Sequence, residues 1–152
     1  MKPSGFENPA ASSFRASQVM IEVVCGIIRD AQGRVLVGLR PQGKHLSGMW
    51  EFPGGKVDSG ESARQALARE LLEELGVEVE VGVALEAVCW QYECVSIRLL
   101  PHVCEIRGGD LKAMSHERVA WYALSELRGL EWAPADVPVL VQIEAMWGGN
   151  LD

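Results

Sequence analysis

The segment EFPGGKVDSGESARQALARELLEELGV, residues Glu51 to Val77, constrains the fold more than any other part of the chain. From about Ser62 to Leu75 its apolar residues recur at intervals of three and four, which predicts an amphipathic helix with one face against a core. Gly76 comes directly after this pattern, and glycine readily adopts the left-handed backbone that ends many helices. We therefore expect a helix that stops at Gly76.

Residues typical of β-strands occupy most of the remaining sequence. Residues 21–29 and 34–40 predict two strands joined by the turn RDAQG, and a short strand MWEF follows, after which Pro53 and two glycines predict a turn. The second half of the chain predicts strands near 78–90, 94–106 and 119–122 and a helix near 138–146. Strands before, between and after two helices predict an α/β fold with a mixed β-sheet sandwiched between α-helices.

The length of 152 residues fits one domain. We expect this domain to span residues 20–152, after a flexible tail over 1–19 that lacks the continuous apolar core of a signal peptide. No apolar run reaches the roughly 18 residues needed to cross a bilayer, so no membrane partner is expected. The net charge of −7 argues against stable nucleic-acid binding, and an anionic substrate would need a cation beside it.

The four cysteines are Cys25, Cys89, Cys94 and Cys104. They lack the CxxC spacing of zinc sites and fall in apolar segments. We expect reduced thiols in the core, which favours a cytoplasmic protein.

Three glutamates lie together on the predicted helix. Glu73 and Glu74 are three and four positions after Glu70, so all three project from one side. Such a cluster of like charges is unfavourable unless something offsets it, and Mg²⁺ or Mn²⁺ binds carboxylate oxygens. The alternative is a solvated acidic face. Arg69 is suited to orienting these carboxylates, whereas Glu61 either complements the helix dipole or only caps the first turn.

Gly54 and Gly55 precede the helix by a few residues. Because glycine has no side chain, the backbone there can approach a ligand closely. The carbonyl oxygen of Gly54 is a candidate to complete an oxygen-rich metal site.

The spacing of these residues resembles a known family. Gly55, five residues, Glu61, seven residues and then RELLEELGV form a pattern similar to the complete Nudix box. The wider chain, from about 20 to 147, resembles MutT-type Nudix proteins, including RPQGKHLSGMWEFPGGK before the box and WAPADVPVL near the end. The resemblance implies the Nudix fold over the domain.

The resemblance also implies a reaction. MutT-like Nudix hydrolases convert a nucleoside triphosphate to the monophosphate and pyrophosphate with Mg²⁺, and some remove damaged nucleotides such as 8-oxo-dGTP from the pool, a form of DNA repair. By this resemblance Glu70, Glu73 and Glu74, with the Gly54 carbonyl, are the expected metal ligands. Glu70 is the favoured base for the attacking water and Glu73 the second choice. Arg69 would hold the carboxylates in position.

MutT-like proteins often add a metal-binding glutamate six residues before a strand tryptophan. Counting back from Trp121 gives Ser115, which is not an acid. Glu117, two positions later, is the weaker candidate for this role.

The remaining candidates bind substrate. The resemblance places Arg40 and His45 facing the substrate, and Lys56 is a candidate phosphate contact. The alternative for each of the three is an ordinary surface residue. Trp50 and Phe52 lie on the short strand, and we predict that they face opposite sides, with Phe52 toward the pocket.

Asp136 in PADVP is the candidate for base selectivity, since MutT has an asparagine in this motif. An asparagine amide donates and accepts, whereas an ionised aspartate only accepts and so favours an exocyclic amine, as on cytosine or adenine, or an NH pair. The simpler alternative is that Asp136 caps the helix that follows. The base therefore stays open between 8-oxo-guanine and cytosine derivatives.

Two other classes share this fold. One is a non-catalytic module that binds nucleotide or DNA, and the complete set of acids argues against it. The other is an isomerase, for which only Cys89 and Cys94 offer any support. The sequence leaves the oligomeric state, the number of metals and the choice between ribose and deoxyribose open.

Overall fold

The structure is a computed structural model that describes residues 20–148, so the expected tail over 1–19 lies outside the described residues. Within these described residues, four strands precede the first helix and four follow it, and two further helices with a 3₁₀ turn between them come last. The strands are β1 (Met20–Ile28), β2 (Val35–Leu39), β3 (Trp50–Glu51), β4 (Gly54–Lys56), β5 (Val77–Ala84), β6 (Val88–Gln91), β7 (Ser96–Gly109) and β8 (Arg118–Tyr122). The helices are α1 (Ala63–Leu75), α2 (Leu124–Leu127) and α3 (Val137–Trp147), with the 3₁₀ turn Pro134–Asp136 directly before α3.

The strands form two sheets. The first has the order β4-β1-β7-β5, with β6 also paired to β7, and the second has the order β3-β2-β8. Strands β1 and β7 are parallel, and every other pair is antiparallel. This arrangement confirms the mixed sheet predicted from the sequence.

Side chains of β1 alternate between two hydrophobic clusters. Val24 and Ile28 pack with the apolar face of α1, whereas Cys25 and Ile27 pack in the cluster that contains α3 residues such as Ile143. Because successive strand residues point to opposite faces, one strand supplies both cores. The prediction of sheets between α-helices is confirmed.

The helix of the acidic segment is also confirmed. Ser62 caps α1 by accepting a hydrogen bond from the Gln65 amide, and Gly76 ends the helix in the left-handed region at φ 72°. The predicted turn at the two glycines is wrong, because Gly54–Lys56 pairs with β1 as a strand after a bend at Pro53. Among residues 20–148, no helix is long and apolar enough to span a bilayer.

Candidate active site

Arg69 gathers the carboxylates of the acidic segment. Its Nε and Nη2 donate to the two oxygens of Glu61 at 2.7 and 2.9 Å, and its Nη1 donates to Glu70 and Glu73 at 3.2 and 3.3 Å. Nη2 also donates to the Lys56 carbonyl. The hydrogen bonds from Arg69 lower the pKa of Glu61 to about 2. Glu61 is thus an anchor for the arginine, and α1 takes its cap from Ser62.

Gly55 forms the surface on which the Glu70 carboxylate rests. A Cβ atom at Gly55 would lie 2.2 Å from Cδ of Glu70, well inside van der Waals contact. Gly54 is equally confined, but by main chain, since a Cβ atom there would lie 1.8 Å from the Val24 carbonyl oxygen. The two glycines therefore serve different needs: Gly54 allows β4 to pair with β1, and Gly55 allows Glu70 to approach the strand.

Glu74 is the most deeply placed of the three helix glutamates. Its Oε1 is buried and has no hydrogen-bond partner among the described residues. Burial, with the nearby charges of Glu51 and Glu70, raises the pKa of Glu74 to about 7, although His116 and the Gly54 backbone oppose the shift. A buried, unpartnered carboxylate oxygen is costly, and a divalent cation would relieve that cost.

Glu51 and His116 form a pair that the sequence did not reveal. Nε2 of His116 lies 2.8 Å from Oε2 of Glu51, and the ring is buried with Nδ1 unpartnered among the described residues. A Cβ atom at Gly38 would lie 2.5 Å from the ring, so this glycine makes room for it. An acid in the buried strand β3 was the available signal for Glu51. The histidine gave no local signal.

The candidate for the additional metal ligand does not gain support. Glu117 is exposed and its backbone amide bonds the Leu39 carbonyl, while His116 is the residue of this loop that enters the site. Ser115 is exposed as well. The weak assignment of Glu117 stays an untested prediction.

A cavity of about 290 Å³ adjoins these groups. It is bounded by β1, the loop after β2, strands β3 and β4, and the turn before α3. All five of the predicted substrate contacts line it together with Gly54 and Glu74; these five are Arg40, His45, Phe52, Lys56 and Asp136. Arg40 is held by its own loop, since its Nε donates to the His45 carbonyl at 3.0 Å and its Nη1 lies 3.7 Å from Glu51.

Phe52 borders the cavity, as predicted, but Trp50 does not face the opposite side. Both side chains belong to one hydrophobic cluster, because residues two apart along a strand share a face. The centroids of the Phe52 and Trp132 rings are 4.7 Å apart, and the Trp50 and Tyr122 rings form a T-shaped pair. The predicted opposition of the two aromatic residues is wrong.

Asp136 lines the same cavity and is only 7 % exposed. Its side chain makes no capping bond to α3, and its Oδ2 accepts a hydrogen bond from the Phe52 amide at 2.8 Å. Burial and the charge of Glu51 raise its pKa well above the usual range, against the opposing effects of the Phe52 amide and Arg40. Its geometry fits the base-reading hypothesis and excludes capping as its role.

The fit of the site to a metal rests on its donors. Oxygen from three carboxylates and one carbonyl suits Mg²⁺ or Mn²⁺, and Oε1 of Glu74 lacks another partner among residues 20–148. Within the same range, no three acidic, histidine or cysteine side chains are already arranged as a cage. Glu70 and Glu73 are instead drawn toward Arg69.

All four cysteines are free, in agreement with the predicted reduced state. Cys25 and Cys104 are buried, and burial raises the pKa of both thiols. The expectation that all four lie in the core is wrong for Cys94, which is exposed, and Cys89 is half-buried.

Comparison with known proteins agrees with this geometry. The NUDIX domain matches residues 20–143. A CTP pyrophosphohydrolase of Escherichia coli is 42 % identical over 131 residues, which cover 84 % of this chain and 93 % of that protein. A putative 8-oxo-dGTP diphosphatase 2 of Mycobacterium tuberculosis is 40 % identical over 125 residues, or 76 % of this chain and 82 % of that protein.

A solved structure of similar fold is the E. coli ORF135 protein, with a TM-score of 0.75 and 38 % identity. The alignment covers 91 % of this chain and 99 % of that one. The match over most of the chain and the relatives at 40 % identity or more show the family. With its complete box on α1 and β4, this chain belongs to the Nudix family as a MutT-like hydrolase.

Proposed function

We propose that the protein hydrolyses a nucleoside triphosphate to the nucleoside monophosphate and pyrophosphate, with Mg²⁺ or Mn²⁺ as cofactor. The observation that carries the proposal is that one cavity joins two unlike groups: the box carboxylate Glu74 and the buried Asp136 both line it. Phosphates belong beside the box carboxylates, where cations can bridge them, and the base belongs beside Asp136. The names of the two relatives, a CTP pyrophosphohydrolase and a putative 8-oxo-dGTP diphosphatase, support this reaction class.

The box residues take three proposed roles: metal ligand, base for the attacking water, and orientation of the carboxylates. Glu70, Glu73, Glu74 and the Gly54 carbonyl would hold the metal, which when bound neutralises phosphate charge and lowers the pKa of water. Glu70, braced by Arg69 and resting on Gly55, takes the proton of the attacking water, with Glu73 as the alternative base. Because Arg69 contacts both glutamates, it orients whichever acts.

Two cationic side chains, Arg40 and Lys56, and two aromatic side chains, His45 and Phe52, complete the proposed substrate site. Arg40 and Lys56 line the cavity and can donate to phosphate oxygens. His45 and Phe52 bound the space for the base, and an aromatic ring can stack on any base. The free thiols support a reducing compartment, so we place the reaction in the cytoplasm.

A base with an exocyclic amine is the favoured substrate. Oδ2 of Asp136 is engaged by the Phe52 amide, so a base would meet the other carboxylate oxygen. When ionised, that oxygen only accepts hydrogen bonds, which suits the cytosine amine. The raised pKa of Asp136 favours a second candidate, 8-oxo-dGTP, because a protonated carboxyl can donate to a base carbonyl.

Changing Asp136 to Asn is expected to shift base preference. Asn has the same shape but always offers a donor, so the preference for CTP over 8-oxo-dGTP, as a ratio of kcat/KM, should fall about 5- to 100-fold, the range of one base contact. In the unaltered protein this ratio should rise with pH as Asp136 loses its proton, whereas the Asn variant should show no such rise. Steady-state rates for dGTP, 8-oxo-dGTP, CTP, dCTP and 5-substituted dCTP test both expectations.

The same panel tests the proposed reaction. Release of pyrophosphate from at least one triphosphate, lost with chelator and restored by Mg²⁺, supports it. A panel in which no triphosphate is turned over contradicts it. An unchanged ratio of kcat/KM for CTP over 8-oxo-dGTP in the Asp136→Asn variant contradicts only the base-reading role.

A further inference from the structure

Tyr92 connects three segments that line the cavity. It follows β6 directly, and its ring lines the cavity beside Asp136. Its hydroxyl oxygen accepts a hydrogen bond from the Ala135 amide at 3.0 Å. On its other side the ring meets His45 edge-on, with the ring centroids 5.3 Å apart. The side chain of Tyr92, which lies between the paired strands β6 and β7, thus contacts both the loop after β2 and the turn before α3.

The hydrogen bond to Ala135 bears directly on Asp136. Ala135 is buried and immediately precedes Asp136 in the 3₁₀ turn Pro134–Asp136. A buried amide that loses its acceptor is costly, so the turn shifts to find another partner and carries the carboxylate with it. Burial raises the pKa of Tyr92 to about 12, which keeps the hydroxyl neutral near neutral pH.

The contact with His45 acts on the loop after β2. The backbone carbonyl of His45 accepts from Nε of Arg40, so the position of this loop also sets the position of the arginine. A ring that meets His45 edge-on limits how far the loop moves toward the cavity. Tyr92 therefore contacts both the loop that holds Arg40 and the turn that carries Asp136.

We propose that Tyr92 is a positioning residue for base recognition, which fixes the Asp136 carboxylate through the Ala135 amide and the His45 loop through its ring. This inference rests on the proposed function, because it assigns the residue to the base end of a nucleotide site. A tyrosine that only fills space would change stability and leave discrimination between bases intact.

The test compares Tyr92→Phe with Tyr122→Phe, which changes the chain's other tyrosine. The Tyr122 ring packs against Trp50, and the residue is not part of the cavity lining. Both variants lose one hydroxyl and keep the ring, so they are matched. Three quantities are measured: kcat and KM for CTP and 8-oxo-dGTP, the Kd of CMP and 8-oxo-dGMP without metal, and hydrogen exchange of the Ala135 amide.

For Tyr92→Phe we expect the CTP to 8-oxo-dGTP ratio of kcat/KM to move toward one by about three- to tenfold, the effect of one hydrogen bond, mainly through KM. The Kd of the preferred monophosphate should rise by a similar factor, and the Ala135 amide should exchange faster. Tyr122→Phe should match the unaltered protein in all three. Exchange at Ala135 reports on the hydrogen bond even if activity is low.

An unchanged ratio and Kd in Tyr92→Phe would overturn the inference, as would an equal change in Tyr122→Phe. If the unaltered protein turns over no triphosphate, the proposed reaction fails, and monophosphate binding alone then decides the role of Tyr92. The two failures are thus distinguishable.

Discussion

Replacing Glu74 with Gln should abolish turnover and at the same time stabilise the metal-free protein above neutral pH. Loss of one preorganised charged group at a reacting centre typically costs about 100- to 1,000-fold in kcat, and Glu74 is a proposed metal ligand. The stability gain has a separate cause. Its carboxylate is buried with one oxygen unpartnered among residues 20–148, so ionisation there is unfavourable.

The sign of the pH effect follows from the pKa of Glu74, which folding raises from 4.5 to about 7. Between these values the folded protein binds the proton more tightly than the unfolded chain, so stability falls as pH rises through this window. At 1.36 kcal/mol per unit, the loss above pH 7 is about 3 kcal/mol for this group. The Glu74→Gln side chain does not ionise, so the variant should not lose this stability as pH rises.

Urea unfolding in chelator at pH 5 and pH 8 measures the difference. We expect the two proteins to be similar at pH 5 and the Gln variant to be the more stable at pH 8. Added Mg²⁺ should raise the stability of the unaltered protein more than that of the variant, because a ligand stabilises the state that binds it. A Gln variant that keeps most of its kcat, or that is no more stable at pH 8, contradicts this account of Glu74.

Alanine at Gly55 should leave the protein folded and nearly inactive, whereas alanine at Gly54 should destabilise it. At Gly55 the new Cβ would lie 2.2 Å from Glu70 Cδ, so the carboxylate must retreat to at least 3.4 Å, which the end of a flexible side chain can do. A displacement of about 1 Å at a reacting group can cost about 100-fold in rate.

Gly54 offers no such retreat. A Cβ atom there would lie 1.8 Å from the Val24 carbonyl oxygen and 2.7 Å from Cys25 Cα, so main chain must move. Overpacking of this kind typically costs about 1 to 3 kcal/mol, and the pairing of β4 with β1 would be disturbed.

Gly129→Ala is the control for both substitutions, because its Cβ would make only an ordinary contact of 3.5 Å. Thermal melting and kcat are measured for all three variants. If Gly55→Ala retains activity, Glu70 does not act from the position it occupies against β4. If Gly54→Ala melts with the unaltered protein, the close approach of β4 to β1 is not required for stability.

The local features of the site could be predicted from sequence. Helix α1 and its stop follow from periodicity and Gly76, and the carboxylates follow from their spacing on that helix, whereas the cap at Ser62 became evident only in the structure. The Nudix box added the fold and the reaction class. These signals lie within a short segment, so no distant contact was needed to interpret them.

Contacts between distant segments could not be predicted. Glu51 and His116 are 65 residues apart, and nothing near either residue indicates the other. Tyr92 and Ala135 are 43 residues apart, and nothing near either residue indicates their hydrogen bond. The local sequence around Asp136 suggests a helix cap as well as a cavity residue, so its position could not be decided from the sequence. Gly54 and Gly55 predicted a turn but form part of strand β4, because pairing with β1 outweighs the weak strand preference of glycine.

The most direct test of the proposed reaction identifies its products. Phosphorus-31 NMR of a reaction with the preferred triphosphate and Mg²⁺ should show the monophosphate and pyrophosphate appearing in equal amounts, with no diphosphate intermediate. The Glu74→Gln variant and a sample in chelator should leave the triphosphate intact. Formation of nucleoside diphosphate and inorganic phosphate, or equal turnover by the Glu74→Gln variant, would contradict the proposed function.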